Sequence, residues 1–139
     1  MIKTSKEIRI FFEITKCHID LPFSTTFPRN CCEASSLFLG NYLKEKFPDV
    51  KVDYVKGTDS NSSIHFWLEV EGKVYDITAD QFDEFDAPLW NADRHPLEAI
   101  YSDLERKDIV TAFVTSDVTT ETYKHSLMIE IENYLESKR

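Results

Sequence analysis

An α+β fold, with a helix near the N-terminus packed on an antiparallel β-sheet, is the class this sequence predicts. Three observations predict it. Apolar residues recur at helical spacing in the first twenty residues, again over 31–47, and again before the C-terminus. Between them, "VKVDYVKG", "SIHFWLEV" and "KVYDIT" alternate as strands do. Glu71-Gly72 separates the last two of these with the length of a two-residue hairpin loop. At 139 residues the chain has the size of one domain with its own core, so 1–139 is read as a single domain.

Taken in order, Thr4 and Glu7 have the spacing of a capping box, and Ile8, Phe11, Phe12, Thr15 and Ile19 continue a helix over about 5–18. Pro22 and Pro28 then impose an ordered loop, whose Asn30 can cap the next helix. That helix, about 31–47, carries Leu39, Leu43 and Phe47 on one stripe, with Cys32 on the same stripe in its first turn, and stops before Pro48. The acidic stretch 83–108, interrupted by Pro88 and Pro96, reads as a long covering loop with a short helical piece. "IVTAFVT" reads as a further strand. Ser116 or Asp117 then caps a last helix in which Leu127, Ile131 and Leu135 recur every four residues.

Composition narrows the function. Apolar residues make up 42% of the chain and aromatics 13%, enough to offset the entropy of ordering it. A net charge of −9 opposes phosphate backbones and anionic lipid, so neither nucleic acid nor membrane is expected as a partner. The N-terminal "MIKTSKEIRIFFEITK" interleaves charge with its apolar residues, unlike a signal peptide, and the expected compartment is the cytoplasm. Cys17, Cys31 and Cys32 are odd in number, and the adjacent pair is poorly placed to bridge, so they are expected to be thiols. Cys17-His18 with Cys31-Cys32 lacks a second well-spaced pair for zinc, and no metal or organic cofactor is expected.

The hairpin carries the chemistry. With Val70 opposite Lys73, Trp67 faces Asp76 and His65 faces Thr78, so His65 and Asp76 are diagonal neighbours on one face. Diagonal side chains on such a face are close enough for a carboxylate to accept from an imidazole N–H, which orients the ring and fixes its tautomer. Cys31 and Cys32 stand in a helix's first turn, where free N–H groups and the helix dipole favour a thiolate. Those N–H groups also suit an acyl-transfer oxyanion.

A Cys at a helix start, a His opening a strand and an Asp on the next strand, with "HFWLEVEGKVYDIT" echoing a His-x-Trp-x-Glu-Val…Asp-x-Thr pattern, resemble the transglutaminase-like branch of the papain-like cysteine enzymes, whose small bacterial members include leader-cutting peptidases. The resemblance covers about residues 27–82. It implies a papain-like fold, with Cys32 as nucleophile, His65 as base and Asp76 as orienter. Cys32 is preferred to Cys31 because its stripe runs through Ser36, Leu39 and Leu43 toward the sheet, and because a small residue four after the Cys fits the family pattern. Family members carry a Gln shortly before the Cys as oxyanion donor. No Gln precedes Cys32 here, which leaves Asn30, Thr25, Thr26, the Trp67 indole or backbone N–H groups for that task.

Trp67, Asn30 and Gln81 are the candidate substrate contacts, Trp67 chiefly as a wall. Glu69 is expected to be solvated, Asp80 and Gln81 to form a turn with Gln81 at the border of the cleft, and His95 and His125 to lie on a loop and a helix surface. The implied activity is thiol attack on an amide or related acyl group through an acyl-enzyme, by a peptidase, amidase, deamidase or acyltransferase. The substrate is a peptide, a protein or a small amide. A non-catalytic binding module retaining the fold is the alternative.

Overall fold

The computed structural model describes residues 1–139 and has an α+β architecture. Four α-helices, α1 (Ile2–Thr15), α2 (Cys32–Lys46), α3 (Ile109–Thr115) and α4 (Glu121–Glu136), accompany five strands. The strands β1 (Val52–Thr58), β2 (Ile64–Val70), β3 (Lys73–Asp76), β4 (Leu89–Ala92) and β5 (Asp103–Asp108) form one sheet in the order β4-β3-β2-β1-β5, with every neighbour antiparallel. No helix is long and apolar enough to cross a membrane.

The β2–β3 register is the expected one, with Val70 opposite Lys73 and Leu68 opposite Tyr75. Glu71 and Gly72 both take positive φ, 51° and 78°, as the two-residue loop requires. Leu68, Val70, Tyr75 and Ile77 are buried in the main core with Leu37, Leu39 and Leu43 of α2. Gly40 lets α2 approach this closely: a Cβ there would stand 2.7 Å from Ile109 and 2.8 Å from Leu68. The opposite face is buried as well. Trp67, Val55 and Val74 form a second cluster, flanked by Leu89, Tyr101 and Leu104.

Several expected boundaries move. No side chain caps α1 at its N-terminus, and Ser5 Oγ donates back to the Met1 carbonyl in place of a Thr4–Glu7 box. "IVTAFVT" is the helix α3, because Asp108 caps it by accepting from the Val110 and Thr111 N–H groups. The strand lies just before it, in the polar "DLERKD", which an edge position permits. The 83–108 segment is therefore not an irregular cover: it supplies both edge strands of the sheet. Thr120, and neither Ser116 nor Asp117, caps α4.

Candidate active site

The hairpin geometry delivers the His65–Asp76 pair. His65 Nε2–H donates to Asp76 Oδ2 at 2.6 Å, and both side chains are buried. Asp76 lies at the end of β3, where the chain leaves the strand for the 3-10 turn Ala79–Gln81. Its other oxygen, Oδ1, accepts from the Thr78 backbone N–H at 3.0 Å and the Thr78 hydroxyl at 3.4 Å. A third partner comes from the segment expected to be a surface loop: His95 Nε2–H donates to the same Oδ2 at 2.7 Å. His95 is 2% exposed, which corrects the reading of it as a loop residue.

The tautomers follow from these partners. His95 Nδ1 accepts from the Leu97 backbone N–H at 3.1 Å, so the ring's proton sits on Nε2 and points at Asp76. His65 likewise spends Nε2–H on Asp76, so in the neutral ring Nδ1 is the lone-pair nitrogen. Near Nδ1 stands Gln81 Nε2, at 3.5 Å. Cys32, half-buried in the first turn of α2, is near enough to the same ring to favour its charged form.

Burial disfavours the charged imidazole, but the Asp76 carboxylate, by charge and hydrogen bond, and Cys32 outweigh it, and His65 is pushed up to about 9. Burial alone would also raise Asp76; His65 and His95 outweigh that and hold it down to about 2. The signs set a pH window for stability. A raised histidine contributes fully below its ordinary 6.5 and loses the contribution as pH climbs through about 9. A lowered carboxylate contributes fully above its ordinary 3.8 and loses it as pH falls toward about 2. The melting-temperature gap between wild type and His65→Asn should thus be widest between these limits, near about pH 5, and shrink in alkali. A gap that widened above about pH 9 would contradict the pairing.

The nucleophile candidates separate by environment. Cys31 is 1% exposed, and burial pushes its thiol up to about 12, which suits a packing role. Cys32 borders an open groove of about 500 Å³ that Phe23, Asn30, Ile64 and Phe66 also line. Asn30 does not cap α2 with its side chain. It adopts a left-handed backbone, φ 59°, and its N–H donates to Gln81 Oε1 at 3.2 Å. Trp67 is 1% exposed, and its ring packs on His95 (centroids 4.6 Å apart) and His65 (5.7 Å). It is therefore a wall behind the histidines, with no surface open to a substrate. Gly57 makes room for it, since a Cβ at that position would lie 2.8 Å from the indole. Glu69 is less solvated than expected, because Arg106 binds it bidentately at 2.7 and 2.9 Å. No metal cluster forms at Cys17-His18 with Cys31-Cys32.

The histidines and the carboxylate thus gather as His65–Asp76–His95, whose ligand-type atoms lie within 4.8 Å of one another. A cation there would need both Nε2 atoms stripped of their protons. The Leu97 N–H on His95 Nδ1 opposes the tautomer this demands. Nothing in periodicity or spacing marks His95. The one local signal is "HP", a residue placed to cap a short turn whose first position is proline. No protein-family model, curated protein or solved structure matches the chain.

Proposed function

We propose that the chain is a cysteine enzyme acting on an amide or related acyl group through an acyl-enzyme, built on a papain-like, transglutaminase-like arrangement of helix and sheet. The observation that carries this reading is the polarity of the His65 ring. Asp76 holds Nε2, which makes Nδ1 the ring nitrogen available to Cys32. A ring so oriented, and raised to about 9, holds the Cys32 thiol proton on Nδ1, so that sulfur attacks the carbonyl carbon with its freed electron pair and the carbonyl π pair moves onto oxygen. Collapse of that intermediate breaks the bond to the leaving group, to which His65 returns the proton. Water, activated by His65, then releases the acid and restores the thiol; an amine in its place completes an acyl transfer. The groove beside Cys32, with Phe23 and Ile64 exposed on it, accommodates the acyl portion of a peptide or small amide.

Rates of iodoacetamide labelling, resolved by peptide mass spectrometry near neutral pH, test this. Cys32 should label fastest, and Cys31 slowest because it is sealed. His65→Ala should slow Cys32, and Asp76→Asn should slow it less. Should Cys32 label no faster than the exposed Cys17, the enzyme reading gives way to the non-catalytic binding module.

A further inference from the structure

We infer that Gln81 is the side-chain oxyanion donor of this site, reaching it from the turn after Asp76; the inference rests on the cysteine-enzyme reading above. Its amide is oriented at both ends. Oε1 accepts the Asn30 N–H at 3.2 Å, which fixes the flip and places Nε2 on the opposite side. One Nε2 hydrogen goes to Thr78 Oγ1 at 3.1 Å. The other points toward His65 Nδ1 at 3.5 Å, too far to be a strong bond, so this N–H is nearly unspent. It stands beside the very nitrogen that serves Cys32. A carbonyl attacked by Cys32 turns its leaving group toward that nitrogen, and the oxygen beside it is the group the Gln81 N–H would receive.

The turn is braced for such a task. Arg9 of α1 grips the neighbouring Asp80 with two bonds, 2.7 and 2.8 Å, and donates a third, 2.7 Å, to the Ile77 carbonyl. The guanidinium also lies 4.8 Å above the Phe27 ring. A donor held by its scaffold before the reaction needs no reorganisation as charge develops, which is what makes such donors effective. Two of the other expected donors are occupied or sealed: Thr26 Oγ1 donates within its own loop, to the Phe23 and Arg29 carbonyls, and Trp67 is buried. Beside Gln81 stand the Cys32 backbone N–H, which no side chain caps, and the Asn30 amide on the same groove.

Two probes of Cys32 separate an oxyanion donor from a residue that merely positions His65. Alkylation by iodoacetamide forms an S–C bond and expels iodide without adding to a carbonyl. Acetylation by p-nitrophenyl acetate adds sulfur to the carbonyl, passes through an oxyanion and expels p-nitrophenolate. Gln81→Ala should slow acetylation about 10²–10³-fold while leaving alkylation within about threefold of wild type. Gln81→Met keeps the length and volume of the side chain while removing the donor, and it adds no charge beside His65. It should show the same split even if the alanine variant folds poorly. Equal slowing of both reactions, or no slowing of acetylation, would overturn the role of Gln81 while leaving the enzyme reading intact. A wild-type protein whose Cys32 neither alkylates fast nor acetylates would overturn the enzyme reading itself.

Discussion

Asp76→Ala should destabilise the fold by about 3–5 kcal/mol in urea unfolding followed by circular dichroism, and should abolish fast labelling of Cys32. The expectation follows from how many groups depend on one buried carboxylate. Two imidazole N–H donors and the Thr78 backbone N–H and hydroxyl all end on it, with no solvent to take over. Removal orphans each of them at once, and an unpaired buried donor costs about 1–3 kcal/mol. Asp76→Asn should cost less, because an amide oxygen can still accept from one side. It cannot accept from both histidines and Thr78 together, so labelling should fall further than stability does. A loss below about 1 kcal/mol for the alanine variant would mean that water reaches the cluster freely, against its burial.

What the sequence reveals here follows a physical rule. The His65–Asp76 contact could be read because strand alternation and a two-residue loop fix register, and register fixes which side chains meet. The burial of α2 and the core side of β2 could be read for the same reason, from local period. The eighty-third to hundred-and-eighth residues could not. Edge strands such as "DLERKD" show little alternation, since they pair on one side only and need not be apolar. "IVTAFVT" misleads in the opposite sense: its β-branched residues favour a strand, yet the Asp108 cap and packing of Ile109 and Ala112 into the core make it helical. Gln81 and His95 reach the site through tertiary placement. Gln81 depends on Arg9, more than seventy positions earlier, gripping its neighbour; His95 depends on the chain crossing back over the hairpin after β4.

His95→Ala should therefore be more damaging than any reading of it as a loop residue allows, with an expected loss of about 2–4 kcal/mol. Two effects add. The ring fills space between Trp67, at 4.6 Å between centroids, and Phe85, at 6.0 Å, so truncation leaves a cavity beside the histidine pair. It also takes one of two charge-assisted donors from Asp76 Oδ2, and a hydrogen bond to a charged group contributes about 1.5–3 kcal/mol. His95→Phe separates packing from polar contacts, because it retains the volume and loses both the donor to Asp76 and the acceptor for the Leu97 N–H; it should recover part of the lost stability. The functional readout differs from the structural one. With His95 gone, Asp76 turns more freely and orients His65 less firmly, while the His65–Asp76 bond itself remains. Cys32 labelling should slow in both variants, by less than in His65→Ala and by similar factors in the two. A phenylalanine variant that labelled at the wild-type rate would confine His95 to packing, and an alanine variant as stable as wild type would remove it from the cluster.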